Sequence, residues 1–548
     1  NHCRYDSLSG FCTCSRENGG LFSEFSDEKV YFADGRIKSE LDREGRKTEY
    51  FYDEFKNLVK ISSVSGSKIR SYDKIGRVLS ERILDSEGKI VSEDEWHYSE
   101  RKIVHRMGGK YKETFLLNVF SEVTSYIDGE GNEKKYYRDV LGRVICEKDS
   151  YGFEIKKSYN AKNQLTKIDF PDGTFLSYIY DENSNCSECY DGEGLLWQKS
   201  YDSDGKVKSY AGRPFFVLEQ YDYDERGFLV SVKYNGVCVK KAVYDENGKN
   251  CCLIDALGNR SYYEQDAFSR LFCQKNSLSY EHKFSYNKDG SLKSETDYNG
   301  NCKKISYSKD LLSCRIDCHD GECLSYSYDA AGNLIHASSR AAELFFVYDK
   351  AGLLNEQFSS GNDDKIAFSY DEAGNLVKIK SPKRTVSYSW GKNRELLEIS
   401  DSYSENSSKV TSSIRFVYDK CGRETLRVYA SGESVKSVYD KNGRLILKAG
   451  YSADLLPVFI DGSVYDDKGA KIFSLNSDLS VTAYSYDSFG RLKSVSYPYS
   501  DSLAKKMKYE TGDASLYYLA GNERISELSF SHDDVYFERW RSTICVEL

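Results

Sequence analysis

The stretch Ile366-Ala-Phe-Ser-Tyr370-Asp-Glu-Ala-Gly374-Asn-Leu376-Val-Lys-Ile-Lys380 contains two alternating segments joined by Asp-x-x-Gly. A type I turn favours Asp at its first position and Gly at its fourth. When that Gly takes the left-handed conformation, the result is a three-residue hairpin loop with a G1 bulge. The spacing therefore predicts a β-hairpin in which Tyr370 faces Leu376. The same reading sets Tyr72 against Val78 and Tyr486 against Leu492. It also sets Asp73 against Arg77, Asp440 against Arg444 and Asp487 against Arg491, opposite-charge pairs that contribute roughly 0.2–1 kcal/mol each.

Tyr-Asp-x-x-Gly occurs twelve times, at Tyr72, Tyr190, Tyr201, Tyr223, Tyr244, Tyr328, Tyr348, Tyr370, Tyr418, Tyr439, Tyr465 and Tyr486. With degenerate copies the register runs 138, 159, 180, 201, 223, 244, 265, 286, 307, 328, 348, 370, a period of about 21 residues, the range of repeat architectures. Tyr31, Tyr52 and Tyr72 keep the step. An aliphatic residue follows six positions on in most copies, such as Leu58, Leu165, Leu334 and Leu445; Asn250, Glu424 and Lys471 break that rule. A second turn signal places Gly45, Gly131, Gly152, Gly258 and Gly300 seven residues before the Tyr position, so each repeat holds two strands. Pairs such as Tyr50/Tyr52, Phe346/Tyr348 and Phe368/Tyr370 put two rings on one strand face.

Residues 31–492 thus carry on the order of 40 strands, too many for a flat open sheet, which must coil. The expected fold is all-β, a spiral of hairpins in which each repeat stacks on its neighbours. Segments 98–137 and 388–418 lose the period. Residues 1–30, with Cys12 and Cys14, read as a divergent lead-in, and 493–548 as a C-terminal continuation.

Composition agrees. The 548 residues include 46 Tyr and 27 Phe at only 39% hydrophobic content, which suits strands with one aromatic and one wet face. Five prolines and 40 glycines exclude collagen-like and proline-rich chains. A net charge of -9 with both signs interleaved gives no basic footprint for nucleic acid, so no nucleic-acid partner is expected. No apolar run approaches the 18 or so residues of a membrane-spanning helix. The sequence begins at Asn1 with neither an initiator methionine nor a signal-peptide pattern, so something is expected to precede it. Sixteen scattered cysteines leave the redox compartment open.

Tyr328-Asp-Ala-Ala-Gly-Asn-Leu334, Tyr439-Asp-Lys-Asn-Gly-Arg-Leu445 and Tyr486-Asp-Ser-Phe-Gly-Arg-Leu492 closely resemble the YD or Rhs repeat. That family includes bacterial Rhs and wall-associated polymorphic toxins, the B and C subunits of insecticidal toxin complexes, and the YD shell of teneurins. The resemblance implies a sheet spiralling into a hollow shell, which in toxin members encloses a C-terminal toxic cargo, and a secreted or cell-surface location. It also implies partners: the cargo or another shell segment, and, from the teneurin side, cell-surface glycans. Family members commonly end the shell with a segment containing Asp-Pro motifs. This sequence has no Asp-Pro, so plug and cleavage site are not carried over. A wall of about 40 strands closes on an interior radius near 12 Å, against roughly 17 Å for a 100-residue domain. The expectation is most of a shell rather than a whole one.

Seven scattered histidines form no catalytic motif. Cys314, Cys318, His319 and Cys323 offer zinc four ligands in an unorthodox spacing, while the repeat register places a hairpin turn there. Cys186-x-x-Cys189 lacks a second such pair. Asp202/Asp204 and Asp222/Asp224 resemble fragments of calcium loops but lack the terminal bidentate Glu, and read as hairpin turns. The tyrosine rows suit sugar stacking or plain cross-strand packing. The expected function is a non-catalytic shell without a cofactor; adhesion or carbohydrate binding is the alternative, and a metal-dependent enzyme the third reading.

Overall fold

A computed structural model describes residues 2–6, 11–15, 28–361, 365–405, 408–476, 480–497, 518–519 and 525–526. Most of the lead-in 1–30 and of the continuation 493–548 lies outside them. The described residues form strands and turns with no helix, and 46 of the strands belong to one sheet. Strands adjacent in sequence pair antiparallel, as Glu343–Tyr348 does with Leu334–Ser338 before it and Leu354–Ser359 after it. The fold is the all-β, spiralling hairpin sheet that the repeat predicts.

The turn forms as its chemistry dictates. The Gly76 N–H donates to the Asp73 carbonyl at 3.1 Å, and the Asp73 N–H donates to the Arg77 carbonyl at 2.9 Å. Gly76 sits at φ 84°, in the region that L side chains avoid. The extra residue shifts the register between Ser71 and Tyr72 and leaves Tyr72 opposite Val78. Tyr370 meets Leu376 and Tyr486 meets Leu492 in the same way. Where a copy lacks the glycine, Lys56, Asn163, Ser184, Ser269 and Arg394 take its place at φ 71°, 64°, 72°, 67° and 63°. None of these is β-branched, as the steric cost of that conformation requires.

One of the twelve motif copies behaves differently. Tyr190-Asp-Gly-Glu-Gly194 is out of phase between Tyr180 and Tyr201, and it forms a tight turn with Asp191 opposite Gly194. Its Asp-x-x-Gly spacing belongs to the row of turns between repeats. The two irregular stretches consist of strands whose turns use other residues, such as Asn118 to Ser121 and Gly391 to Arg394.

The chain divides into two compact units. The first comprises Asn1–Lys135, Tyr244–Leu253 and Asn259–Val386; the second comprises Tyr136–Val243, Ile254–Gly258 and Ser387–Leu548. Each holds an earlier and a later run of hairpins. Most strand positions are half-buried, and the main apolar cluster, in the second unit, gathers Leu447, Ala449, Ile460, Phe473, Leu475, Val481 and Ala483.

Gly374 lies at φ 82°, and a Cβ there would meet only Leu353 Cδ1, at 4.0 Å. The cost of substitution is therefore conformational. Gly374→Val should lose about 1 kcal/mol or more, and Gly374→Asn less, because Asn tolerates the left-handed region. Equal melting temperatures for the two variants would contradict the turn assignment.

Candidate functional site

The residues that define the motif converge on three contacts. The first lies inside the hairpin. Asp73 Oδ1 accepts the N–H groups of Ile75 at 3.0 Å and Arg77 at 2.9 Å, while Oδ2 accepts Arg77 Nε at 2.6 Å. Asp139, Asp266, Asp419, Asp440 and Asp487 repeat the arrangement with their own arginines. Burial acts to raise the Asp73 carboxyl, and the bonds from Arg77 and Ile75 outweigh it, so its pKa falls below the ordinary value.

The second contact ties one hairpin to the next. Tyr370 Oη donates to the Leu354 carbonyl at 2.9 Å, Tyr180 Oη to Leu165 at 2.8 Å, and Tyr72 Oη to Leu58 at 2.9 Å. The acceptor belongs in each case to the residue six positions after the preceding Tyr. This accounts for two exceptions to the aliphatic rule: Glu424 and Lys471 still offer their carbonyls, to Tyr439 at 3.0 Å and Tyr486 at 2.8 Å. The third exception, Asn250, precedes a copy with Gln265 in place of Tyr. The arginine after the left-handed turn residue adds to the tie by lying over the next tyrosine. Arg143 sits 4.9 Å from the Tyr159 ring centre, Arg270 4.7 Å from Tyr286 and Arg444 4.8 Å from Tyr465. Sequence reasoning missed this tie, although a signal was present. The first ring of the Tyr/Phe-x-Tyr pairs alternates between Tyr and Phe, whereas the second position keeps Tyr in most copies, with Arg138, Gln265 and Trp390 as exceptions, which packing alone does not demand.

The third contact is a seam within each unit, where between-repeat turns of the earlier run seat on Tyr-Asp turns of the later run. Partners are 225 to 271 residues apart, about eleven to thirteen repeats, so the sheet winds back onto itself. In the first unit Arg46 Nη2 pairs with Asp289 Oδ2 at 2.5 Å, and Lys350 Nζ with Glu93 at 3.1 Å. Tyr111, only 2% exposed, donates to Asp349 Oδ2 at 2.7 Å, and burial together with that carboxylate pushes its pKa up. The main chains also join, with the Glu93 N–H donating to the Lys350 carbonyl at 3.1 Å. In the second unit Arg423 reaches Asp172 at 3.0 Å, Arg444 reaches Glu193 at 2.7 Å, and Asn393 Nδ2 donates to Asp149 at 2.7 Å.

The sequence-derived site residues are spread through this framework. Cys314 stands between Tyr307 and Tyr326, Cys323 is opposite Asp317, and Cys318 and His319 occupy the intervening turn. Among the described residues no group of three or more His, Cys, Asp or Glu side chains is arranged to hold a metal ion. Cys186 and Cys189 stand opposite Tyr180 and Tyr178. Asp202 accepts the Asp204 and Lys206 N–H groups at 3.0 and 2.9 Å, while Asp222 pairs with Lys233 at 2.7 Å. Asp224 accepts the Phe228 N–H at 2.9 Å, so these carboxylates serve hairpins.

Two measurements test these contacts. Tyr370→Phe should cost about 1 kcal/mol by leaving the Leu354 carbonyl unpaired, whereas Lys471→Leu should stay within about 0.5 kcal/mol because the acceptor is main chain. Equal losses on chemical denaturation would refute the tie. The second concerns acid. Burial acts to raise Asp289, but bonds from Ser291 and Arg46 hold it at about 2. A depressed carboxylate stabilises the folded state above its unfolded value near 3.9 and loses that contribution as pH falls through the folded value. The melting temperature should therefore drop between pH 4 and pH 2, and less steeply in Asp289→Asn; parallel profiles would count against the seam pair.

Comparison with known proteins places this geometry. The family model described as teneurin YD-shell matches residues 153–291 and 283–449. No curated protein matches the chain. Among solved structures, TcdB2-TccC3-Cdc42 aligns with a TM-score of 0.50 at 12% identity, covering 88% of this chain and 33% of that one. The Photorhabdus luminescens Tc holotoxin pore aligns at 0.48 and 11%, covering 89% and 35%. The chain spans about a third of the length of these solved chains. With the hairpin, the tie and the seam repeated through the segment that the family model matches, the chain belongs to the teneurin YD-shell family.

Proposed function

We propose that the chain is the non-catalytic wall of a YD/Rhs shell in a secreted or surface-delivered polymorphic toxin, and that it encloses or presents a C-terminal cargo lying outside these 548 residues. The observation that carries this reading is the use to which the motif is put. Asp organises the turn, Tyr holds the preceding carbonyl and Arg covers the next ring, so the recurring polar groups go into cohesion of a wall. The family match and the likeness in fold to TcdB2-TccC3-Cdc42 support a shell role.

The adhesion reading rested on tyrosines free to stack sugars. Tyr159 and Tyr286 have guanidinium groups over their rings and hydroxyls bonded to the Val144 and Leu271 carbonyls, which favours packing as their purpose. The enzyme reading would need the Cys314 to Cys323 segment to gather its ligands, and elemental analysis for zinc addresses it directly.

The test is the intact mass of the natural polypeptide, isolated from its source under denaturing conditions, followed by limited proteolysis of the native form. A mass well above 62.7 kDa, or a co-purifying fragment shielded from protease until acid opens the wall, is expected. A mass matching Asn1 to Leu548 with no shielded fragment would overturn the cargo reading.

A further inference from the structure

In the seams, one position of the Tyr-Asp turn recurs among the contacts: the second of the two residues between Asp and the left-handed residue. Phe268 lies beneath the Arg43 guanidinium at 4.5 Å, Asp289 pairs with Arg46, and Asn393 pairs with Asp149. Ala351 sits so close to Gly108 that a Cβ on that glycine would fall 2.7 Å from the Ala351 nitrogen. Every one of these turns belongs to the later run of its unit.

The same position in the earlier runs is turned outward. In the first unit Ile75 is 75% exposed and Phe55 68%; in the second unit Leu141 is 64% exposed. The hairpin does not require these side chains, because Asp73 binds only the main-chain N–H of Ile75, and Asp53 only that of Phe55. Large apolar groups held at rigid turn tips, in phase with one another, mark an interaction surface.

We propose that the Tyr-Asp turns of the earlier runs are a docking edge for a further run of YD hairpins, received through Phe55 and Ile75 in the first unit and Leu141 in the second. The seam already formed supplies the occupant's chemistry. An aromatic tip takes an arginine from a between-repeat turn, as Phe268 takes Arg43, and an aliphatic tip takes a glycine, as Ala351 takes Gly108. The docked run presents its between-repeat turns, so the edge has a polarity: Tyr-Asp turns receive and between-repeat turns insert. This deepens the shell reading above by naming which edge another shell segment takes.

The test places a photo-crosslinker in the full-length natural polypeptide as Ile75→p-benzoylphenylalanine, with Val347→p-benzoylphenylalanine on an exposed strand face as control. The expected product is a crosslink from position 75 into a between-repeat turn of a YD hairpin, at several-fold the control yield. A crosslink into any other kind of sequence, or a yield no higher than at position 347, overturns the proposal. A third variant, Leu141→p-benzoylphenylalanine, repeats the measurement in the second unit should the first fail to fold. The two readings fail separately: a mass showing no cargo leaves this crosslink standing, and a shielded cargo without the crosslink leaves the shell standing.

Discussion

The hydroxyl of the motif tyrosine, donating in copy after copy to a carbonyl one hairpin earlier, converts a row of hairpins into a wall. A two-stranded hairpin is marginal in water by itself, and here most strand positions are only half-buried, so apolar burial alone supplies little. A buried carbonyl left without a donor costs more than a typical hydrogen bond gains. The tie therefore works in both directions, satisfying the strand end of one repeat and fixing the ring of the next. The arginine lying over that ring is itself held by the turn aspartate, so the Asp, Arg and Tyr of successive repeats form one connected polar chain.

This division of labour explains what the sequence disclosed and what it withheld. Hairpin, bulge and cross-strand register were legible because each is a local consequence of Asp-x-x-Gly, and Tyr370 does face Leu376. The copy at Tyr190 misled because the same four-residue spacing serves a different turn once it falls out of phase. The tie was half legible: the recurring Tyr was visible, but its acceptor is a main-chain group and leaves no mark on the side chains at Glu424 or Lys471. The seam left no signal at all. Its partners stand 225 to 271 residues apart, far beyond the 21-residue repeat, and their chemistry changes from turn to turn.

That variety has a physical cause. The turn fixes Asp, the left-handed residue and the residue after it; the tie fixes Tyr. At Ile75 and Asn442 the second middle residue of the turn contributes only its N–H to the hairpin, whereas at Asp289 its carboxylate also accepts the Ser291 N–H. The two middle positions are therefore where side chains vary with least effect on the Asp turn and the tie, as Ile75 and Lys350 illustrate. A salt bridge at Asp289, a cation over Phe268 and close main-chain approach at Ala351 are all compatible with one hairpin backbone.

A repeat built in this way separates cohesion from recognition. Identical hairpins would let the sheet slip by one repeat without penalty, since every tie could re-form in the new register. The seam removes that degeneracy because its partners differ: moving Arg46 one turn back along the later run would take it from Asp289 to Phe268, the same position of a turn that offers no carboxylate there. Arg46 would keep Asp42 of its own hairpin but lose the second carboxylate that holds it across the seam. Unlike contacts at successive turns thus set the winding register of a sheet whose hairpins, taken singly, could not choose one.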